Sequence, residues 1–83
     1  MKVFVLSSNS CIEGEVWNET RVFHQIEKAK AVFQETLKEI KKTFPEDKWS
    51  DNICAASGDF ETSCSVQDVE NWWSLAIDEK KVE

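Results

Sequence analysis

Apolar side chains at Ile26, Ala29, Phe33, Leu37, Ile40 and Phe44 recur at intervals of three and four, the spacing of a single helix face. The spacing predicts a helix from about Gln25 to Thr43 with one stripe to bury. On both sides of it the pattern changes to alternation. Val3-Phe4-Val5-Leu6 is apolar on both strand faces and suits an interior strand. The polar run from Ser7 to Gly14 reads as a hairpin loop. Val16 to Phe23 returns as a second strand, with Val16, Thr20 and Val22 on one face and Trp17, Glu19, Arg21 and Phe23 on the other. Later in the chain Phe60, Thr62, Cys64 and Val66 alternate with Glu61, Ser63 and Ser65, a half-buried strand. Gln67 to Asn71 forms the next turn. Trp73, Leu75 and Ile77 then alternate with Trp72, Ser74, Ala76 and Asp78 in a last strand, before a charged tail from Glu79 to Glu83.

The helix ends are marked unequally. His24 or Gln25 stands near the N-cap, and neither caps strongly. Pro45 stops the helix, because the residue before proline avoids the helical region. Pro45-Glu46-Asp47 then opens a possible short second helix, with Trp49, Ile53 and Ala56 on one face and Gly58 as its stop; the alternative over 46–57 is an irregular loop pinned by Trp49. The expected fold is α+β: one domain over residues 1–83, a four-stranded antiparallel sheet in the order ββαββ, and one long helix across one face. The other face has no cover in this pattern.

Charge separates along the chain. Residues 21–44 carry six basic and three acidic side chains, and the remainder carries four basic and thirteen, giving +3 and −9 and a total of −6. A net negative chain disfavours nucleic acid, which needs Lys and Arg to displace phosphate counterions, and anionic membranes for the same reason. The helix lysines Lys28, Lys30, Lys38, Lys41 and Lys42 are interleaved with Glu27, Glu35 and Glu39 and read as a solvated face.

No constellation for catalysis stands out, and the chain is expected to be no enzyme. His24 is the one histidine, placed at a strand-to-helix junction without a positioned partner. Cys11, Cys54 and Cys64 have no metal-ligand spacing, so neither a metal nor a cofactor is expected. Cys64 packs as a small hydrophobe in its strand and Cys54 lies near the Trp49 face. Cys11 is the thiol expected in the open, but it is flanked by Glu13 and Glu15 rather than by an activating cation. Three unpaired thiols, no secretory leader pattern after Lys2 and no long apolar run point to a cytoplasmic, reduced setting.

Aromatic residues carry the functional expectation. If Trp73, Leu75 and Ile77 face the helix, Trp72 points away from it, and alternation allows Trp17 the same open face. With Glu19, Glu61 and Asp78 around them, Trp17 and Trp72 would form an aromatic surface with an acidic rim, the composition of a protein-binding patch. The bland reading is that Trp72 packs under a loop. The leading expectation is an interaction module, an adaptor or inhibitor that meets a protein partner or a second copy. The alternative is a ligand-binding or enzymatic domain with a cleft between helix and sheet. RNA binding through exposed sheet aromatics would need a basic surround, which is lacking.

An N-terminal hairpin, Val22-Phe23 followed by Glu27-Lys28-Ala29, and a closing aromatic strand ending in Glu and Lys resemble small uncharacterised proteins of bacteria and their phages. The resemblance spans most of the chain. It implies a bacterial or phage setting and, since such proteins commonly lack an assigned activity, no functional residue. A phage inhibitor presenting acidic surface is the narrower form of the module reading.

Overall fold

The computed structural model describes residues 1–51 and 53–82. Strands β1 (Lys2–Ile12) and β2 (Glu15–Phe23) form a hairpin, helix α1 (Ile26–Thr43) follows, and strands β3 (Ala55–Ser57), β4 (Ser63–Gln67) and β5 (Trp72–Lys81) complete the chain. The strands join in one sheet in the order β2-β1-β5-β4-β3, every neighbour antiparallel. The α+β class, the long helix and its bounds follow the sequence pattern. Three internal segments differ, and so does the charged tail. Strand β5 runs on through Glu79, Lys80 and Lys81, paired with Phe4, Val3 and Lys2 of β1, because backbone pairing holds charged residues as well as apolar ones. Glu83 lies outside the described residues.

The first difference is the polar run after Leu6. Strand β1 continues through it to Ile12, and the loop shrinks to Glu13-Gly14. Both turn residues have positive φ, 52° and 83°, the backbone of a two-residue hairpin turn whose twist matches the strands. Ser7, Ser8 and Asn9 are held as strand because β1 lies between β2 and β5 and is paired on both edges there. Backbone pairing does not require apolar side chains.

The second difference is the segment after Pro45, where of the two alternatives the loop pinned by Trp49 holds and the short helix does not, with β3 added at its end. A single 3-10 turn, Glu46–Lys48, replaces the second helix. Lys48 N–H donates to Pro45 O at 3.0 Å and Trp49 N–H to Glu46 O at 3.2 Å. A further such bond runs from Asp51 N–H to Lys48 O at 3.0 Å, and Trp49 pins the segment: its indole N–H donates to Phe44 O at 2.9 Å and its ring stacks on Phe60 with centroids 5.2 Å apart. That bond satisfies a carbonyl the helix end would leave bare. Ile53, expected on the face of Trp49, is exposed. The chain turns back and supplies β3, so the sheet has five strands where four were expected. Asn52 lies outside the described residues.

The third difference is the start of β4, at Ser63 rather than Phe60. Phe60 has φ 60°, outside the strand region. Asp59 holds the loop: its Oδ1 accepts the backbone N–H of Glu61, Thr62 and Ser63 at 2.8–2.9 Å, and its Oδ2 accepts the Thr62 hydroxyl at 2.7 Å.

The core lies between α1 and one sheet face. Phe33, Leu37, Ile40 and Phe44 from the helix stripe meet Leu6 of β1, Leu75 of β5 and Cys64 and Val66 of β4, with Cys54 closing one end. Full burial stabilises side chains of this size by roughly 1.5–3 kcal/mol each. Strand β2 receives little of this cover. Eight of its nine residues are exposed, only Phe23 being half-buried.

Candidate functional site

Register decides which side chains share a face. Ser10 of β1 lies opposite both Trp17 of β2 and Trp73 of β5, so these three project to one side. Leu6 and Leu75 are in phase with them and pack under the helix, so that side is the helix side. Trp17 therefore does not share the open face. Trp72 does, lying opposite Cys11, which in turn lies opposite Val16. The two tryptophans expected to form one surface stand on opposite faces of the sheet.

The acidic residues are dispersed as well. Glu19 accompanies Trp17 on β2. Asp78 is on the open face, six residues beyond Trp72 along β5, which is roughly 20 Å of strand. Glu61 sits in the Asp59 loop beside Thr62, whose carbonyl accepts the Ile77 N–H. Among the described residues Glu19, Glu61 and Asp78 do not form one rim around Trp17 and Trp72.

The structure instead assembles a groove of about 540 Å³ between α1 and β2. Its floor is Leu6, Ser8, Val32 and Trp73, and its walls carry Glu19 and Arg21 from β2 and Glu35, Lys38, Glu39 and Lys42 from α1. Three acids and three bases line it, a balanced surround on an otherwise acidic molecule. A second hollow of about 360 Å³ continues it past the helix, between Trp17, Asn18 and Glu19 on one side and Ser8, Ser10 and Trp73 on the other. The Trp73 indole N–H donates to Ser8 Oγ at 3.0 Å and fixes the ring across β1. Trp17 has no such bond among the described contacts and is 66% exposed. Glu19 Oε1 accepts Arg21 Nε at 2.7 Å, an exposed pair along one strand face.

On the other side of β2, Val16 and Val22 are 61% and 60% exposed. The strand thus shows apolar side chains on both faces and a free backbone edge. At the far end of the sheet β3 has only three residues, so the opposite edge is short.

Among the described residues the titratable groups form no nucleophile–base pair. Burial, then the Asp59 charge, pushes the Cys64 thiol up to about 11. Burial and the charges of Asp68 and Asp51 also raise Cys54. Cys11 is half-buried rather than fully in the open, and all three cysteines are free. His24 lies with Val22, Phe23, Gln25 and Lys28 around a hollow at the start of α1, with no carboxylate among the lining residues. Among the described residues no three His, Cys, Asp or Glu side chains are grouped to hold a metal, and no helix is long and apolar enough to cross a membrane.

The groove residues absent from the sequence-derived site include Ser8, Arg21 and Trp73, together with Glu35, Lys38, Glu39 and Lys42 of the helix face read as solvated. The signal for Ser8 and Arg21 was Glu13-Gly14: a two-residue turn there sets Ser8 opposite Glu19 and Ser10 opposite Trp17 at once. The position of Trp73 over Ser8 depends on β1 pairing with β5, which no local pattern reports. No protein-family model, no curated protein and no solved structure matches this chain.

Proposed function

We propose that this chain is a non-catalytic protein-interaction module, an adaptor or inhibitor, that works through strand β2 and the groove beside it. The observation that carries the reading is the exposure of β2: nine residues long, bare on both faces, and bearing Val16, Trp17 and Val22. Large exposed apolar side chains on an unpaired edge invite another chain. Trp17 is the anchor, with Trp73 behind it and mixed charges around it, the arrangement of an interface centre with a polar rim.

The test is capture from a native lysate by immobilised wild type and by Trp17→Ala. The variant is expected to melt with the wild type, since the ring is exposed, and to lose its partner, an anchor costing roughly 2 kcal/mol or more on truncation. If the wild type captures nothing, itself included, or if Trp17→Ala captures the same protein equally well, the module reading fails.

One observation favours a second reading. The groove has the size of a small-molecule site, with Leu6, Val32 and Trp73 beside Ser8 on its floor and charged groups converging from its walls. A metabolite bound there would shift the fluorescence of Trp73, and its binding would survive Trp17→Ala.

A further inference from the structure

We infer that the occupant of the β2 edge is a second copy of this chain, paired antiparallel to β2 about a two-fold axis at Thr20. The inference rests on the interaction-module reading and names its partner.

The backbone sets the phase. In the Glu13-Gly14 hairpin the Ile12–Glu15 pair closes the turn and is hydrogen-bonded, and such pairs alternate along an antiparallel ladder. Residues 15, 17, 19, 21 and 23 therefore spend their N–H and C=O groups on β1. Residues 16, 18, 20 and 22 turn theirs outward, along the free edge. A two-fold axis at Thr20 makes Thr20 face the partner's Thr20 as a hydrogen-bonded pair and Asn18 face the partner's Val22 as the next one. All the outward groups from 18 to 22 are then satisfied.

Side chains select this register from its neighbours. With the axis at Thr20, Glu19 lies opposite the partner's Arg21, and by symmetry this happens twice. Trp17 lies opposite the partner's Phe23, also twice. Charge and aromatic pairs directly across a ladder are stabilising, and like charges there are destabilising. Moving the axis to Glu19 sets carboxylate against carboxylate, and moving it to Arg21 sets guanidinium against guanidinium.

The edge carries charge in Glu15, Glu19 and Arg21, but Glu19 and Arg21 are opposite in sign and pair across the proposed axis. Strand β2 contains no proline and no lysine, and its pairing with β1 runs from Glu15 to Phe23 without a bulge. The helix does not overhang it, since both faces of the strand are exposed. Two five-stranded sheets would join into one of ten, near the upper size of ordinary open sheets. Directly opposed residues share a face, so both helices stand on the same side and the two grooves open into one trough.

Sedimentation equilibrium over the micromolar range, at about 0.15 M salt to screen the repulsion between copies, is expected to show a dimer for the wild type. Thr20→Pro removes an N–H that the monomer does not use, and proline is tolerated on an edge with that N–H outward. It is expected to fold and to sediment as a monomer. Glu19→Arg and Arg21→Glu, each alone, are expected to weaken the dimer about tenfold, and the two together to restore it. In the wild type, the amide protons of Asn18, Thr20 and Val22 are expected to exchange more slowly as concentration rises. A wild type monomeric throughout, or a double charge swap no tighter than the single ones, overturns the inference. If that happens while Trp17→Ala still loses a captured partner, the second copy is wrong and the module reading stands.

Discussion

Gly58 shows how much one residue can decide. Its φ is 122°, and a Cβ there would meet the Ser63 carbonyl and come within 2.7 Å of the Cys64 Cα. The close approach lets the Asp59 loop fold back on the start of β4. Gly14 also has positive φ, but a Cβ there would meet nothing within 4 Å. Gly14→Ala is therefore expected to cost about 1 kcal/mol for the backbone alone, and Gly58→Ala more than about 2 kcal/mol, because sterics add to the conformational term. Urea denaturation of both variants measures the difference, and equal losses would refute the close-approach account. The neighbouring Asp59 gives a pH signature. The Thr62 hydroxyl first, then the N–H groups of Thr62, Glu61 and Ser63, hold its carboxyl well below the usual 3.8. A depressed carboxyl favours the folded chain while it is ionised, so its contribution is complete above about pH 4 and fades as pH falls further. Asp59→Asn is expected to melt lower at neutral pH and to lose less on going from about pH 4 to pH 2. Melting curves that run parallel for the two proteins across that range would contradict this.

At the scale of elements the helix was legible and the sheet was only partly so. Of the stripe from Ile26 to Phe44, Ala29, Phe33, Leu37, Ile40 and Phe44 are buried, and Ile26 at the helix start is half-buried. Leu37 touches the sheet in mid-stripe, and Leu37→Ala is expected to cost roughly 2–5 kcal/mol, read from the urea midpoint. A loss well below 1 kcal/mol would mean that the helix is not docked as described. Strand alternation gave the faces of β2, β4 and β5 correctly, each relative to itself. It could not relate one strand to the next, because a shift of one residue exchanges the faces. Alternation for that reason allows Trp17 and Trp72 a common surface, which the register of β1 with β2 and β5 rules out. Ser7 to Gly14 looked like loop because strand is usually recognised by its apolar side chains. In β1 that stretch is held instead by backbone bonds to strands on both sides. Strand β3, with three small residues, carries no pattern to read.

For the molecule as a whole, the order of strands in space matters more than their order in sequence. The first and last strands, β1 and β5, lie side by side in the interior of the sheet, and the Val82 N–H donates to Met1 O at 2.9 Å. Strands β4 and β3 reach the rest of the sheet only through β5. During synthesis β1, β2 and α1 leave the ribosome first, and the helix stripe then has half a sheet to cover. The strand that carries Leu75 and joins the two halves arrives last. Until it inserts, β1 offers a second unsatisfied edge beside the helix's bare apolar face. The nascent chain therefore passes through a stage at which strand exchange between neighbouring copies competes with completion of its own fold.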